Sequence, residues 1–390
     1  MSIETAPKSD AHIAVNPANN PALDLARNPA PTAVSSPSIQ QPSSAATSGC
    51  DDLRPVILPL VALAAPHFTA AKILAPPSHC QPSAVVLSSP HAGRVYPAEF
   101  IAASIADVNA LRGLEDFGVD QLIGSVRDHG ITCINNQISR AYIDVNRPVD
   151  ALDTAMFTSP PAAANTAAAS SRHVRAGYGL LPRLTAAREV IHRQLLPSDE
   201  VESRIALVHK PYHQAVQAAL ATAESHFGQS LLIDCHSMPS RDQHDKPLAD
   251  FVLGDLHHST LDPAIGDLLA KIITEAGYSL AWNHPYAGGY ITKNYGRAAT
   301  HQQSIQIEIN RRLYMTRKYA LDQQGSENIA ALLAHIGRFY RINWPKPNLA
   351  QTDFHACASP CGLARRATQN QPAARLSDSV DSFLADQPAD

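Results

Sequence analysis

Short apolar runs bounded by turn residues alternate along this chain with amphipathic segments, and that alternation restricts the fold more than any other feature. The runs read as buried strands at 84–88, 131–134, 141–145, 231–234, 251–253 and 304–309. Apolar residues recurring at helical spacing predict helices over 114–127, 185–196, 204–227, 261–276 and 327–340. Strands this short and this continuously apolar belong to a sheet covered on both faces, because neither face is left for water. The fold class is therefore α/β, with a helix-covered sheet. In such sheets ligands bind beyond the carboxyl ends of the strands, so polar residues at those ends carry the functional signal.

Only the middle of the 390-residue chain has this patterning. Residues 1–50 and 345–390 are rich in Pro, Ala, Ser, Asn and Gln and lack periodicity. Such segments bury too little apolar area to offset the entropy of ordering, and both are expected to be largely disordered. One domain is expected over 54–344, ample for a core. The Ala-rich stretch SPPAAANTAAASS at 159–171 reads as a loop insertion.

Formal net charge is -4 and the pI is near 6.5, a balance that argues against nucleic acid or an anionic membrane as partner. The longest apolar candidate, PVILPLVALAAP at 55–66, is broken by prolines and falls short of the roughly 20 residues that span a bilayer. No basic patch followed by an apolar core opens the sequence, so no signal peptide is expected and the cytoplasm is the expected location. Cys50, Cys80, Cys133, Cys235, Cys357 and Cys361 are scattered, which does not describe a disulfide framework, and Cys357 and Cys361 lack a second pair for a zinc knuckle.

The chemistry is concentrated at strand ends. In SIQIEINRRLYM, Glu308 stands inside an apolar run, where an unpartnered charge would be costly. His91 follows the first strand in LSSPHAG, with Ala92 and Gly93 allowing a tight turn, and His236 ends another in LLIDCHSM. Asp234 lies two residues before His236, on the same face of a strand, where it can orient the imidazole. Two such histidines and a strand-borne Glu fit a mononuclear zinc hydrolase, with the Glu as general base. A third ligand is needed, and LEDFGVDQL offers Asp116, then Glu115, then Asp120, though acids at a helix start are also stabilised by its dipole.

SRAYIDVNRP carries Arg140, Asp144, Asn146 and Arg147. The arginines suit a clamp for a substrate carboxylate, with Asn146 beside them, or else partners for Asp144 and Asp150. In HPYAGGYITKNYG, Gly288 and Gly289 permit close backbone approach, and Tyr290 or Tyr295 can cover a pocket; a plain turn explains the glycines equally well.

Taken in order, SSPHAGRVYP, EDFGVDQL, SRAYIDVNRP, LLIDCHSMPS, NHPYAGGYIT and QIEINRRLYM resemble the N-formylglutamate amidohydrolase family, over roughly 85–315. The resemblance implies kinship with zinc carboxypeptidases and succinylglutamate desuccinylase-like enzymes. It also implies a three-layer α/β/α, phosphorylase/hydrolase-like fold with a mixed, mostly parallel sheet. The implied activity is hydrolysis of N-formyl-L-glutamate to formate and L-glutamate, the closing step of one histidine-degradation route, with one Zn2+ as cofactor. Carried onto this chain, His91, Asp116 and His236 are the metal ligands and Glu308 the catalytic base. On the same resemblance Asn146 and Arg147 match a carboxylate-binding pair; from the residues themselves, Arg140 and Tyr290 are expected to join them at the substrate and Asp234 and Glu115 to support the ligands. Zinc carboxypeptidases place a Glu three residues after the first His, where this chain has Arg94. Two other readings remain: an amidohydrolase for another N-acyl amino acid or a small cell-wall-derived amide, and a catalytically silent binding protein of the same fold.

Overall fold

The computed structural model describes residues 53–343; both tails expected to be disordered, and with them Cys50, Cys357 and Cys361, lie outside the described residues. Seven strands form the main sheet: β1 (Ala71–Leu74), β2 (Val85–Ser89), β3 (Thr132–Asn136), β4 (Ser230–Met238), β5 (Phe251–Gly254), β6 (Leu280–Trp282) and β7 (Gln302–Asn310). Their order is β1-β3-β2-β4-β7-β5-β6. The four central strands β3, β2, β4 and β7 run parallel, while β1 pairs antiparallel with β3, and β5 with β7. The sheet is mixed and mostly parallel, with helices on both faces.

Side-chain alternation along the strands builds two separate cores. Val85, Leu87, Leu231, Ile233, Ile305 and Ile307 pack with α1 (Val119–Gly124), α3 (Pro263–Glu275) and α5 (Gln323–Asn343). Val86 and Leu232 point to the other face, under α2 (Lys210–Phe227) and α4 (Tyr290–Tyr295). Asp234, His236 and Glu308 share the phase of Leu232, so they face the α2 layer while their neighbours face an apolar one. This is why a carboxylate can sit inside an apolar run: only one face of its strand is lined with isoleucine. No helix among the described residues is long and apolar enough to cross a membrane.

Two expected elements are absent. The run 141–145 is not a strand, although Ala141, Tyr142, Ile143 and Val145 are buried. It is a loop packed into the core, with its polar backbone satisfied from outside any ladder. Asp144 N donates to Leu180 O, Arg204 Nη1 to Tyr142 O, and His213 Nε2 to Val145 O. Burial made the run apolar, and burial does not require strand pairing. Likewise 185–196 is not helical. Thr185 N donates to Glu189 O and Ile191 N to Arg183 O, the short bridges Leu184–Val190 and Ser104–His192 pin it, and Arg188 has φ 63. Its apolar residues anchor an irregular excursion, and their spacing only coincides with a helical repeat.

The helix expected over 114–127 begins later, at Val119, after Gly118 turns the chain at φ 77. Glu115 and Asp116 therefore lie in the preceding turn, outside the helix. The Ala-rich insertion holds one short helix, Thr166–Ala169, followed by another, Arg172–Ala176.

Candidate active site

His91 lies just past the carboxyl end of β2. A Cβ on Gly93 would come within 2.2 Å of the Ile138 carbonyl oxygen, so the His-Ala-Gly turn depends on a bare backbone there. Asp116 N donates to His91 O at 3.0 Å, which ties the third-ligand turn to the first histidine. His236, near the end of β4, lies 3.0 Å through Nδ1 from Asp116 Oδ2, and the His91 and His236 rings meet edge-on at 4.8 Å. Candidate donor atoms of His91, Asp116 and His236 all lie within 4.8 Å of one another, and all three residues are buried.

Each imidazole is held from behind by a carboxylate. His91 Nε2 donates to Asp144 Oδ1 at 2.7 Å, and His236 Nε2 to Asp234 Oδ2 at 2.9 Å. Asp234 is itself fixed by Ser88 Oγ at 2.6 Å. Both rings thus turn their Nδ1 atoms toward Asp116. His91 Nδ1 is buried without a hydrogen bond among the described residues, 3.5 Å from Asp116 Oδ2. An unsatisfied buried nitrogen is costly, and the His-Asp-His donor set with outer carboxylates fits a divalent cation of zinc's preferences. Burial opposes ionisation of Asp116, yet its interactions with His236 and His91 hold it well below the usual carboxylate range. Against the cost of burial, Asp234 and Asp116 raise His236 well above its ordinary value, so a metal and a proton compete for its Nδ1.

Of the three acids in the helix-start motif, only Asp116 joins this cluster. Asp120 pairs with Arg94 at 2.8 Å, the arginine at the position where zinc carboxypeptidases carry a ligand. Glu115 accepts from Tyr96 Oη at 2.7 Å and lies 3.3 Å from Arg112 Nε. Its carboxylate belongs to that neighbouring network, and burial raises its pKa. Sequence reading assigned Asp234 its supporting place but missed the equivalent one of Asp144.

Glu308 stands directly across from His236 in the parallel β4–β7 register. Gln306 Nε2 donates to its Oε1 at 2.7 Å. Burial pushes its pKa up to about 7, with His236 opposing and the Asp116 charge reinforcing. This places an acid of near-neutral pKa beside the candidate metal cluster.

Arg140, Asn146 and Arg147 belong to the buried 140–147 segment, which meets His91 through Asp144. Arg140 Nε donates to Asp144 Oδ2 at 2.9 Å, and Arg147 Nε lies 3.9 Å from the same oxygen. Arg147 also donates to the Tyr178 and Asn146 carbonyls. Asp144 thus serves two guanidinium groups and His91, and they hold it well below the carboxylate range despite its burial. Burial, together with the Arg140 charge, lowers Arg147 to about 10. Asn146 accepts from Ile291 N at 2.8 Å through Oδ1, while its Nδ2 lies 3.3 Å from His236 Nε2. Tyr290, half-buried, borders the neighbouring cavity with His209 and His213.

Two substitutions test this scaffold. Asp144→Asn is expected to weaken divalent-cation binding at this group 10- to 100-fold, the usual loss when a carboxylate behind a ligating histidine is removed; titration against a chromophoric chelator measures it, and unchanged affinity would separate Asp144 from the candidate metal group. A Cβ on Gly289 would fall 2.5 Å from Asn146 Nδ2, while the residue's φ of -105 suits any side chain. Gly289→Ala should therefore displace Asn146 and lower kcat/KM by about 100-fold, with the metal content of the purified protein unchanged.

Comparison with known proteins accords with this geometry. Residues 83–315 match the model of the N-formylglutamate amidohydrolase family. The chain belongs to that family. An N-formylglutamate deformylase of Pseudomonas putida is 31% identical over 236 residues, covering 59% of this chain and 81% of the relative. One from Pseudomonas aeruginosa is 30% identical, with 59% and 82% covered. The crystal structure of N-formylglutamate amidohydrolase from Ralstonia eutropha JMP134 superposes with a TM-score of 0.64 at 32% identity, covering 70% of this chain and 99% of that one. As an N-formylglutamate amidohydrolase family member, the chain places His91, Asp116, His236 and Glu308 within the matched region.

Proposed function

We propose that the chain is a cytoplasmic, zinc-dependent amidohydrolase that cleaves N-formyl-L-glutamate to formate and L-glutamate in histidine degradation. The observation carrying this reading is the buried His91–Asp116–His236 group, with its unsatisfied His91 Nδ1, beside Glu308. A divalent cation held by these three residues supplies Lewis acidity toward the scissile carbonyl and the attacking water. Glu308 accepts the proton from that water as the new C–O bond forms. It then delivers the proton to the amide nitrogen as the C–N bond breaks, releasing formate and the amino group of glutamate. Burial raises the proton affinity of the Glu308 carboxyl, which suits it to take and return a proton.

Arg140 and Arg147 share the single carboxylate of Asp144. A substrate carboxylate that meets the wall of these two guanidinium groups is held by them, which positions the amide. Asn146 fixes the loop carrying Gly289 and Tyr290 against this wall.

The test is formate release from N-formylglutamate, with N-acetyl and N-succinyl glutamate alongside. Activity should vanish with a chelator and return with zinc. A preference for either longer acyl group would assign the same chemistry to another substrate, and purified protein that neither contains nor binds zinc would favour a silent binding protein.

A further inference from the structure

We propose that Arg311 binds the side-chain carboxylate of the substrate and so sets the preference for an acidic N-formyl amino acid; this rests on the deformylase reading above. The two carboxylates of N-formylglutamate leave Cα on different branches, so one cationic wall cannot hold both close to the reacting amide. The Arg140–Arg147 wall lies behind His91, on the Asp144 side. Arg311 stands immediately after β7, three residues beyond Glu308, and meets the metal group from the Glu115–Asp116 turn and Ser237.

Its guanidinium is already oriented. Nε donates to Ser237 Oγ at 3.1 Å, and Nη2 donates to Glu115 O at 3.2 Å and approaches Asp116 Oδ1 at 3.5 Å. Ser237 Oγ in turn donates to Asp116 Oδ1 at 3.1 Å. A planar donor group held this way offers a directional site for a carboxylate at little further entropic cost. Access separates it from the other two arginines: the side chain of Arg311 is 27% exposed, against 4% for Arg140 and 10% for Arg147. Of these three arginines, Arg311 is the most exposed to an arriving substrate carboxylate. The neighbouring Arg312 does not compete for this place, because it turns away to pair with Asp250 at 2.7 Å.

The same contacts also describe a simpler task, bracing Asp116, and the experiment separates the two. Arg311→Gln and Arg311→Lys are assayed against N-formylglutamate and the neutral isostere N-formylglutamine, with zinc content measured on each protein. The Gln variant should lose about 30-fold or more in kcat/KM for N-formylglutamate, chiefly through KM, as expected for a lost charge-assisted contact. Its kcat/KM for N-formylglutamine should stay within about threefold of the unaltered enzyme by the same reasoning. The Lys variant should recover part of the preference for the acid. Equal losses on both substrates, or a fall in zinc content, would assign Arg311 to bracing Asp116 and overturn the proposal. Ser237→Ala removes the Nε partner but keeps the guanidinium charge, so it should reduce the glutamate-to-glutamine ratio less than Arg311→Gln does. If the unaltered enzyme releases formate from neither substrate, the deformylase reading itself falls; loss of the ratio alone bears only on Arg311.

Discussion

Glu308→Gln should lower kcat for formate release by about 1,000-fold, within the range spanned by general acid–base catalysis, while zinc content stays at the unaltered level. Gln is nearly isosteric with Glu and can keep a hydrogen bond with Gln306, so the β4–β7 register and His236 need not move. What it lacks is a site for the travelling proton. Retention of more than a tenth of the rate would show that another group accepts it. A pH measurement on chelated protein provides a second readout that does not depend on turnover. The folded-state pKa of Glu308, about 7, lies above the roughly 4.3 of an unfolded Glu. The folded protein therefore binds more protons between those values, and this residue makes stability fall as pH rises from about 4.3 through about 7. Gln cannot ionise, so the variant should lack that part of the slope, and its thermal midpoint should exceed that of the unaltered protein by most above pH 7. Parallel midpoint curves across pH 5 to 8 would mean that Glu308 is not ionising in a buried place.

Much of this site was legible because three acids sit inside apolar runs: Asp234 in LLIDCH, Glu308 in IQIEI and Asp144 in YIDVN. Each needs a buried partner, and each has one. For Glu308 the apolar run itself carries the signal and for Asp234 the spacing to His236 does, while the arginines flanking Asp144 offer it a sufficient local partner. Its partnership with His91 spans 53 positions and is set by how the 141–147 loop packs, which local pattern does not encode. The same limit explains the false strand at 141–145: apolar content reports burial, whereas strand pairing depends on a neighbour elsewhere in the chain. Asp116 could not be separated from Glu115 and Asp120 by type or spacing. The structure separates them by partner, since Tyr96 with Arg112 takes one and Arg94 takes another. Arg311 carries no binding signal in the sequence, because its contacts with Ser237 and the Glu115–Asp116 turn span 74 and 196 positions.

Removing the metal, or a ligand, should abolish activity with two different costs to stability. Chelation of the unaltered enzyme should cut formate release at least about 1,000-fold, since Lewis acidity and the water's acidification are lost together. A ligand present at about 100 times its dissociation constant adds about 2.7 kcal/mol to the folded state. For a domain of this size chelation should therefore lower the thermal midpoint by about 4–5 °C, and zinc should restore both properties. His236→Ala should lose zinc and activity just as completely, but it should melt lower than the chelated unaltered protein. Its imidazole is the partner of both Asp234 and Asp116, at 2.9 and 3.0 Å. Truncation leaves two buried carboxylates facing a cavity, and breaking a buried pair by removing one partner costs about 3–5 kcal/mol. Zinc should not rescue this variant. The ordering of midpoints decides the matter: if His236→Ala melts with the chelated protein, His236 acts on stability only through the ion. If chelated enzyme retains its rate, or the variant keeps one zinc per chain, the His91–Asp116–His236 group is not the metal site.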